Sequence, residues 1–189
     1  MSRVKKGRAD RNKKRFRKEA TEYVILMVAT LVFALILKTF VFARADVEGQ
    51  SMLSTLNDKD VLFVEKLSIL TRSFSRGEIV IFDSKDEERQ LYVKRVIGIA
   101  GDTIEIKNGK VYLNDKLLKE DYLNPNTLTN AGTFLPENVR YSVPNGYVFV
   151  LGDNREHSLD SRFLGPINTK DIKGHTIVRI YPFNKVRIF

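Results

Sequence analysis

The chain has 189 residues, with 32 Lys and Arg against 23 Asp and Glu, two His, no Cys and no Trp. That length suits one compact domain and an appendage. A cysteine-free sequence excludes disulfides, cysteine-ligated zinc, iron–sulfur clusters and a thiol nucleophile, and two histidines leave little for a histidine metal site, so neither metal nor cofactor is expected and covalent catalysis falls to Ser, Thr, Lys or a carboxylate.

Positive charge is concentrated at the start. Residues 1–22 hold ten basic and three acidic side chains, whereas the remaining 167 hold 22 and 20. A terminal basic tail whose only aromatic is Phe16 does not make a nucleic-acid-binding face, and no nucleic-acid partner is expected. Residues 23–43, YVILMVATLVFALILKTFVFA, follow with Lys38 as the one charge. As a helix they would extend roughly 30 Å, the thickness of a bilayer's hydrocarbon core, and they read as a transmembrane helix in contact with membrane lipid, Lys38 snorkelling at its far end. A buried core helix is the plainer alternative, but Thr30 is the only clearly polar residue of 23–37. The positive-inside rule makes 1–22 a cytoplasmic tail and 44–189 the extracytoplasmic domain of a single-pass cell-membrane protein. Ala43-Arg44-Ala45 has the small-x-small pattern of a cleavage site, so a removable signal peptide competes with this reading. Against it, the apolar run exceeds the usual core of about 7 to 15 residues and Lys38 interrupts its end.

The exported part reads as mostly β. Short apolar or alternating runs occupy 61–67, 78–82, 91–99, 146–152 and 175–183, and no stretch there sustains helical periodicity for long. Asn108-Gly109 and Asn114-Asp115 are turn dipeptides between alternating β-formers. Residues 121–145 are richer in Asn, Pro, Thr and Gly. The expected organisation is a β-sheet core from about 46–100 and 141–189, interrupted by a β-rich insertion at about 101–140.

There is no G-x-S-x-G, H-E-x-x-H, G-x-x-x-x-G-K-[ST] or G-x-G-x-x-G, so a lipase-type triad, a zincin and the common nucleotide loops lack support. His157 and His175 form no recognised metal spacing and read as surface or structural groups. Three other segments combine flexible backbone with polar side chains. In the first, GQSMLSTL at 49–56, Ser51 lies eight residues beyond Ala43 and so within roughly 30 Å of the membrane exit; taken alone it reads as a loop serine. The apolar stretch 46–56 is expected against the lipid surface. In the second, YVKRVIGIAGD at 92–102, strand alternation puts Lys94 on a face with Tyr92 and Val96, where a lysine is either desolvated or snorkels to water. The third, GDNREHSLDSRFLG at 152–165, follows an apolar strand and reads as a polar network at a buried strand end, or as a solvated turn with surface ion pairs.

Together with the N-terminal anchor, these segments resemble the bacterial type I signal peptidases, membrane serine peptidases that remove signal peptides from exported preproteins. The matching boxes are S-M-x-x-T-L, R-G-E-I-V-I-F at 76–82, K-R-V-I-G-x-x-G-D and G-D-N-x-x-x-S-x-D-S-R, in that order over almost the whole chain. Each box is weak by itself, and the ordered set is specific. The resemblance implies a signal-peptidase-like β-sheet catalytic core and a serine endopeptidase working at the outer face of the cytoplasmic membrane. Its partners would be preprotein signal peptides, with the secretion translocon a further candidate. Ser51 would be the nucleophile and Lys94 the general base. Ser158 matches the serine that hydrogen-bonds the lysine, Asp153, Asp160 and Arg162 match the polar network beneath the site, and Arg95 matches the arginine after the base.

This chemistry needs a neutral amine. Lowering a lysine from its usual range to near 7 disfavours the ammonium by roughly 4 to 5 kcal/mol, which burial supplies and a touching carboxylate would undo. Asp153 and Asp160 are therefore expected to pair with Arg162 or backbone groups, away from Lys94. The Ser51 backbone N–H is the first oxyanion donor; the Gly49 position, Ser or Thr in some relatives of this type, is the candidate for a second and here lacks a side-chain donor. Ser54 and Ala100 stand where the family commonly has Pro. Met52 and Val93 are candidate walls of shallow pockets for small side chains before the cut. Two other classes remain: a catalytically silent anchored β-domain that binds exported proteins, and a self-cleaving Ser/Lys regulator that binds DNA, which the spanning segment opposes.

Overall fold

The computed structural model describes residues 2–85 and 90–189. The chain divides into two units, one ending at Val41 and one running Phe42–Phe189. The first is helix α1, Ser2–Ile36, continued by a π-helical turn at Leu37–Val41. Its segment Phe16–Thr39 contains an 18-residue window of mean hydropathy 2.3 and is long and apolar enough to cross a membrane. The helix extends through the stretch read as a tail, and it stops before Phe42: the last two residues of the stretch read as helix belong to a strand.

That strand, β1 (Phe42–Asp46), was not anticipated, because FARAD carries neither an apolar run nor a clean alternation. It pairs antiparallel with β2 (Val61–Glu65), Ala45 opposite Leu62. There follow the short helix α2 (Ser68–Thr71), β3 (Ile79–Asp83) and β4 (Leu91–Gly98). Strands β5 (Thr103–Lys107), β6 (Lys110–Leu113), β7 (Lys116–Leu117) and β8 (Arg140–Ser142) form a separate antiparallel sheet in the order β7-β6-β5-β8. Asn108 and Gly109 turn β5 into β6 with φ of 49° and 68°, and Asn114 and Asp115 turn β6 into β7 with 50° and 64°. These left-handed pairs are what a two-residue hairpin needs, which is why the dipeptides were legible. The chain then returns through β9 (Tyr147–Leu151), the single-turn helix α3 (Ser161–Leu164), β10 (Ile167–Asn168), β11 (Ile172–Tyr181) and β12 (Arg187–Ile188). The main sheet runs β1-β2-β11-β3-β4-β9-β10, with β12 on β11.

The unbroken apolar runs of β3 and β9 reflect burial on both faces. Ile79 and Ile81 pack with Val47, Met52, Leu56 and Leu62, whereas Val80 and Phe82 pack with Val96, Val148 and Val150. Phe149 and Leu151 turn the other way, joining Ile97 to Ile104, Ile106 and Val111 of the smaller sheet. The sequence expected 46–56 to lie on lipid; instead Val47, Met52 and Leu56 are inside the protein core. An apolar side chain is equally well removed from water by either environment, and the sequence pattern alone does not distinguish them.

Candidate active site

Ser51 sits on the loop joining β1 to β2. The loop is closed at its base by Val47 N–H to Asp60 O and Lys59 N–H to Val47 O, both 2.8 Å, and is pinned by buried Met52, Thr55 and Leu56. Arg179 on β11 donates to Thr55 O at 3.0 Å and to Asp60 Oδ2 at 2.7 Å, so a strand 120 residues away in sequence holds this loop. On the other side, Asn154 N–H donates to Ser51 O and Asn154 Nδ2 to Gln50 O, each at 3.0 Å.

Lys94 projects from the middle of β4, opposite Val80 of β3. Its side chain is 3% exposed in relative terms, and Nζ lies 2.8 Å from Ser51 Oγ, 3.1 Å from Val93 O and 5.0 Å from the centre of the Tyr92 ring. Burial pulls its pKa down from 10.5 to about 8, against the opposing pull of the Asp160 charge. A desolvated amine at hydrogen-bond distance from a hydroxyl can accept that hydroxyl's proton.

Two arginine–carboxylate pairs brace this centre. Asp160 receives Arg162 Nε at 2.8 Å and Nη2 at 2.9 Å, and its Oδ2 also accepts from Gly152 N–H. Asp153 receives Arg95 Nε at 2.9 Å and Nη2 at 2.6 Å. The expected partner of Asp153 was Arg162 or backbone; the structure gives it Arg95, the residue next to Lys94, because neighbouring strand residues face opposite ways and Arg95 meets Asp153 beyond the end of β9. Each bidentate pair satisfies a buried carboxylate without touching Lys94.

Ser158 departs from expectation. Its Oγ is buried and, among the described residues, has no hydrogen-bond partner, so the anticipated bond to Lys94 is not formed. It packs under Gly152: a β-carbon there would lie 2.1 Å from Ser158 Oγ and 2.5 Å from Ser51 O. Gly49 N–H donates to Asp58 Oδ1 at 2.9 Å and is therefore committed, whereas the Ser51 N–H has no acceptor among the described residues. Ser51, Met52, Val93 and Lys94 all line one cleft of about 500 Å³, together with Glu48, Gln90, His157 and Leu159. A larger hollow, about 890 Å³, lies between residues 44–61 and 180–183; it shares Asp46, Val47 and Glu48 with the cleft and is lined by neither Ser51 nor Lys94.

Sequence reasoning passed over Asn154, Arg155, Glu120, Arg179 and Asp60. Arg155 is buried, donates to Gly152 O at 3.0 Å and to Thr129 Oγ1 at 2.6 Å, and forms an ion pair with Glu120. It thereby ties the irregular stretch after β7 to the backbone below Ser51. Its signal was present, since Asn154 and Arg155 stand inside the 152–165 box. Arg179 and Asp60 had none, each being one charged residue in an ordinary strand or turn.

A mostly β protein with an N-terminal helix of membrane-crossing length, carrying a serine against a buried lysine amine, is the class defined so far. The family model described as signal peptidase, peptidase S26, matches residues 20–181, and the chain belongs to that family. It is 40% identical to signal peptidase I of Bacillus licheniformis, over 88% of this chain and 91% of that protein. It is 37% identical to signal peptidase I P of Bacillus subtilis subsp. natto, over 92% and 96%. Among solved structures, a signal peptidase I from Enterococcus faecalis V583 matches with a TM-score of 0.45 and 29% identity, over 55% of this chain and 96% of that one.

Proposed function

We propose that this chain is a membrane-anchored serine endopeptidase that removes N-terminal signal peptides from preproteins at the outer face of the cytoplasmic membrane. Family membership and the names of its relatives support the signal-peptidase activity. The spanning-length helix and the basic residues before it support the anchor and its orientation. The observation that carries the chemistry is the 2.8 Å approach of a buried Lys94 Nζ to Ser51 Oγ.

Neutral Lys94 takes the Ser51 hydroxyl proton as Oγ attacks the scissile carbonyl. The oxyanion meets the Ser51 N–H, a donor that has no acceptor among the described residues. When the C–N bond breaks, the lysine ammonium returns the proton to the leaving amine, freeing the mature chain. Water then attacks the acyl-enzyme, losing a proton to Lys94; the acyl C–Oγ bond breaks, the lysine ammonium returns that proton to Ser51 Oγ, and the signal peptide departs with a new carboxylate. Asp153, Asp160, Arg95 and Arg162 act by holding backbone and side chains in place. Met52 and Val93, both in the cleft wall, suit shallow pockets for small side chains before the cut.

The test uses the full chain in detergent with a purified preprotein, comparing wild type with Ser51→Ala and Lys94→Met. Cleavage is expected to fall by about 10²- to 10⁴-fold on loss of the base, and to background on loss of the nucleophile. Unchanged cleavage in either variant refutes the dyad.

A further inference from the structure

A second hollow adjoins the Ser51 loop and shares no lining residue with the cleft. It encloses about 420 Å³, and its wall includes Leu53, Ser54, Asn124, Asn126, Asn154 and Glu156. Asn154 belongs to both places, since its two N–H donors hold the carbonyls of Gln50 and Ser51 while the residue also forms part of this wall. Leu53 is two residues from Ser51, which limits the separation of their Cα atoms to about 7.6 Å. An extended peptide advances about 3.3 Å per residue, so a substrate with its scissile bond at Ser51 is long enough to reach this hollow with its second or third residue beyond the bond. On the peptidase reading above, the wall of Met52 and Val93 takes the residues before the cut, which leaves the Asn154 side for the residues after it.

The lining is polar and carries one uncompensated charge. Asn124 and Asn126 are exposed, and among the described residues their side-chain amides have no hydrogen-bond partner. Asp153 is neutralised by Arg95 and Arg155 by Glu120, whereas Glu156 is exposed and, among the described residues, without an ion-pair partner. We propose that this hollow is the subsite for the first residues of the released mature chain, and that Glu156 there favours basic and disfavours acidic side chains. The inference rests on the peptidase reading above and adds to it a preference on the far side of the cut.

Two peptides identical up to the cut, with Lys or Glu at the second and third positions after it, provide the test with the full chain in detergent. Wild type is expected to prefer the Lys peptide in kcat/KM by about two- to fivefold, mainly through KM, the scale of one solvent-screened ion pair. E156K is expected to invert the preference, and high salt to erase it in both proteins. The ratio of the two peptides within one preparation does not depend on how much of that preparation is folded. Equal cleavage of both peptides by wild type, or the same preference in E156K, overturns the subsite and leaves the peptidase reading standing. Failure of wild type to cut either peptide or a full preprotein overturns both.

Discussion

Asp160 gives both carboxylate oxygens to Arg162, at 2.8 and 2.9 Å, and acts on Lys94 only through space. The arrangement lets burial dominate, so Lys94 titrates at about 8 instead of being fixed as an ammonium. Only the neutral amine accepts a proton. Below pH 8, kcat/KM is therefore expected to rise about tenfold per pH unit, and above it to level off. A pH–rate profile measured with a short peptide checks this. An inflection well below 8 with no further rise would show that Lys94 is not the titrating base.

The same burial has a cost in stability. Below pH 8 the amine is charged in both folded and unfolded chains, and the folded state bears the full desolvation penalty, about 3 kcal/mol for a shift from 10.5 to about 8. Between pH 8 and 10.5 the folded protein has released a proton that the unfolded chain still holds, so wild-type stability climbs across that window. Lys94→Met is accordingly expected to be more stable than wild type at pH 7, with its lead shrinking as pH rises from 8 towards 10.5. Denaturant midpoints of the two proteins at pH 7 and pH 10 measure the difference.

Gly152→Ala is expected to lower activity by about a hundredfold through packing alone. The added carbon meets Ser158 Oγ at 2.1 Å and the Ser51 carbonyl at 2.5 Å, and the second contact is backbone of the very residue that reacts. Relief requires Ser51 to move by a good part of an ångström, which costs about a hundredfold in kcat. A variant that folds, judged by circular dichroism, yet retains wild-type kcat would contradict the described contact.

Arg155→Met removes a buried cation and leaves Glu120 and the Gly152 carbonyl without their shared partner. Breaking one half of a buried pair costs about 3 to 5 kcal/mol. The melting temperature is expected to fall, and Glu120→Gln, which keeps the shape and a hydrogen-bonding oxygen, to fall less. Equal losses in the two variants would show that charge pairing is not what holds this stretch.

Asp160→Asn leaves the Arg162 guanidinium, itself buried, without its carboxylate. A similar loss of about 3 to 5 kcal/mol is expected. In whatever fraction remains folded, the inflection of the pH–rate profile moves below 8, because the charge that raised the lysine has been removed. A shift upward would mean that Asp160 does not act on Lys94.

Local chemistry explains what could be read without coordinates. The strands that became β2, β3, β4, β9 and β11, the two left-handed turns and the membrane-length helix all leave a mark within a few neighbouring residues, an apolar period or a turn dipeptide, whereas Ser51 and Lys94 were candidates only through the resemblance carried by the ordered set of boxes. The weak strand β1 and the end of the helix at Ile36 leave no such mark, because pairing with β2 overrides the intrinsic preference of FARAD. The partners of charged groups are likewise a matter of the tertiary structure. Nothing near Asp153 in sequence selects Arg95 over Arg162, or sends Arg179 to Asp60, or leaves the Ser158 hydroxyl without a partner among the described residues. Those outcomes depend on which side chains converge once distant strands have packed, and a hydrogen bond reaching only about 3 Å is decided by that packing.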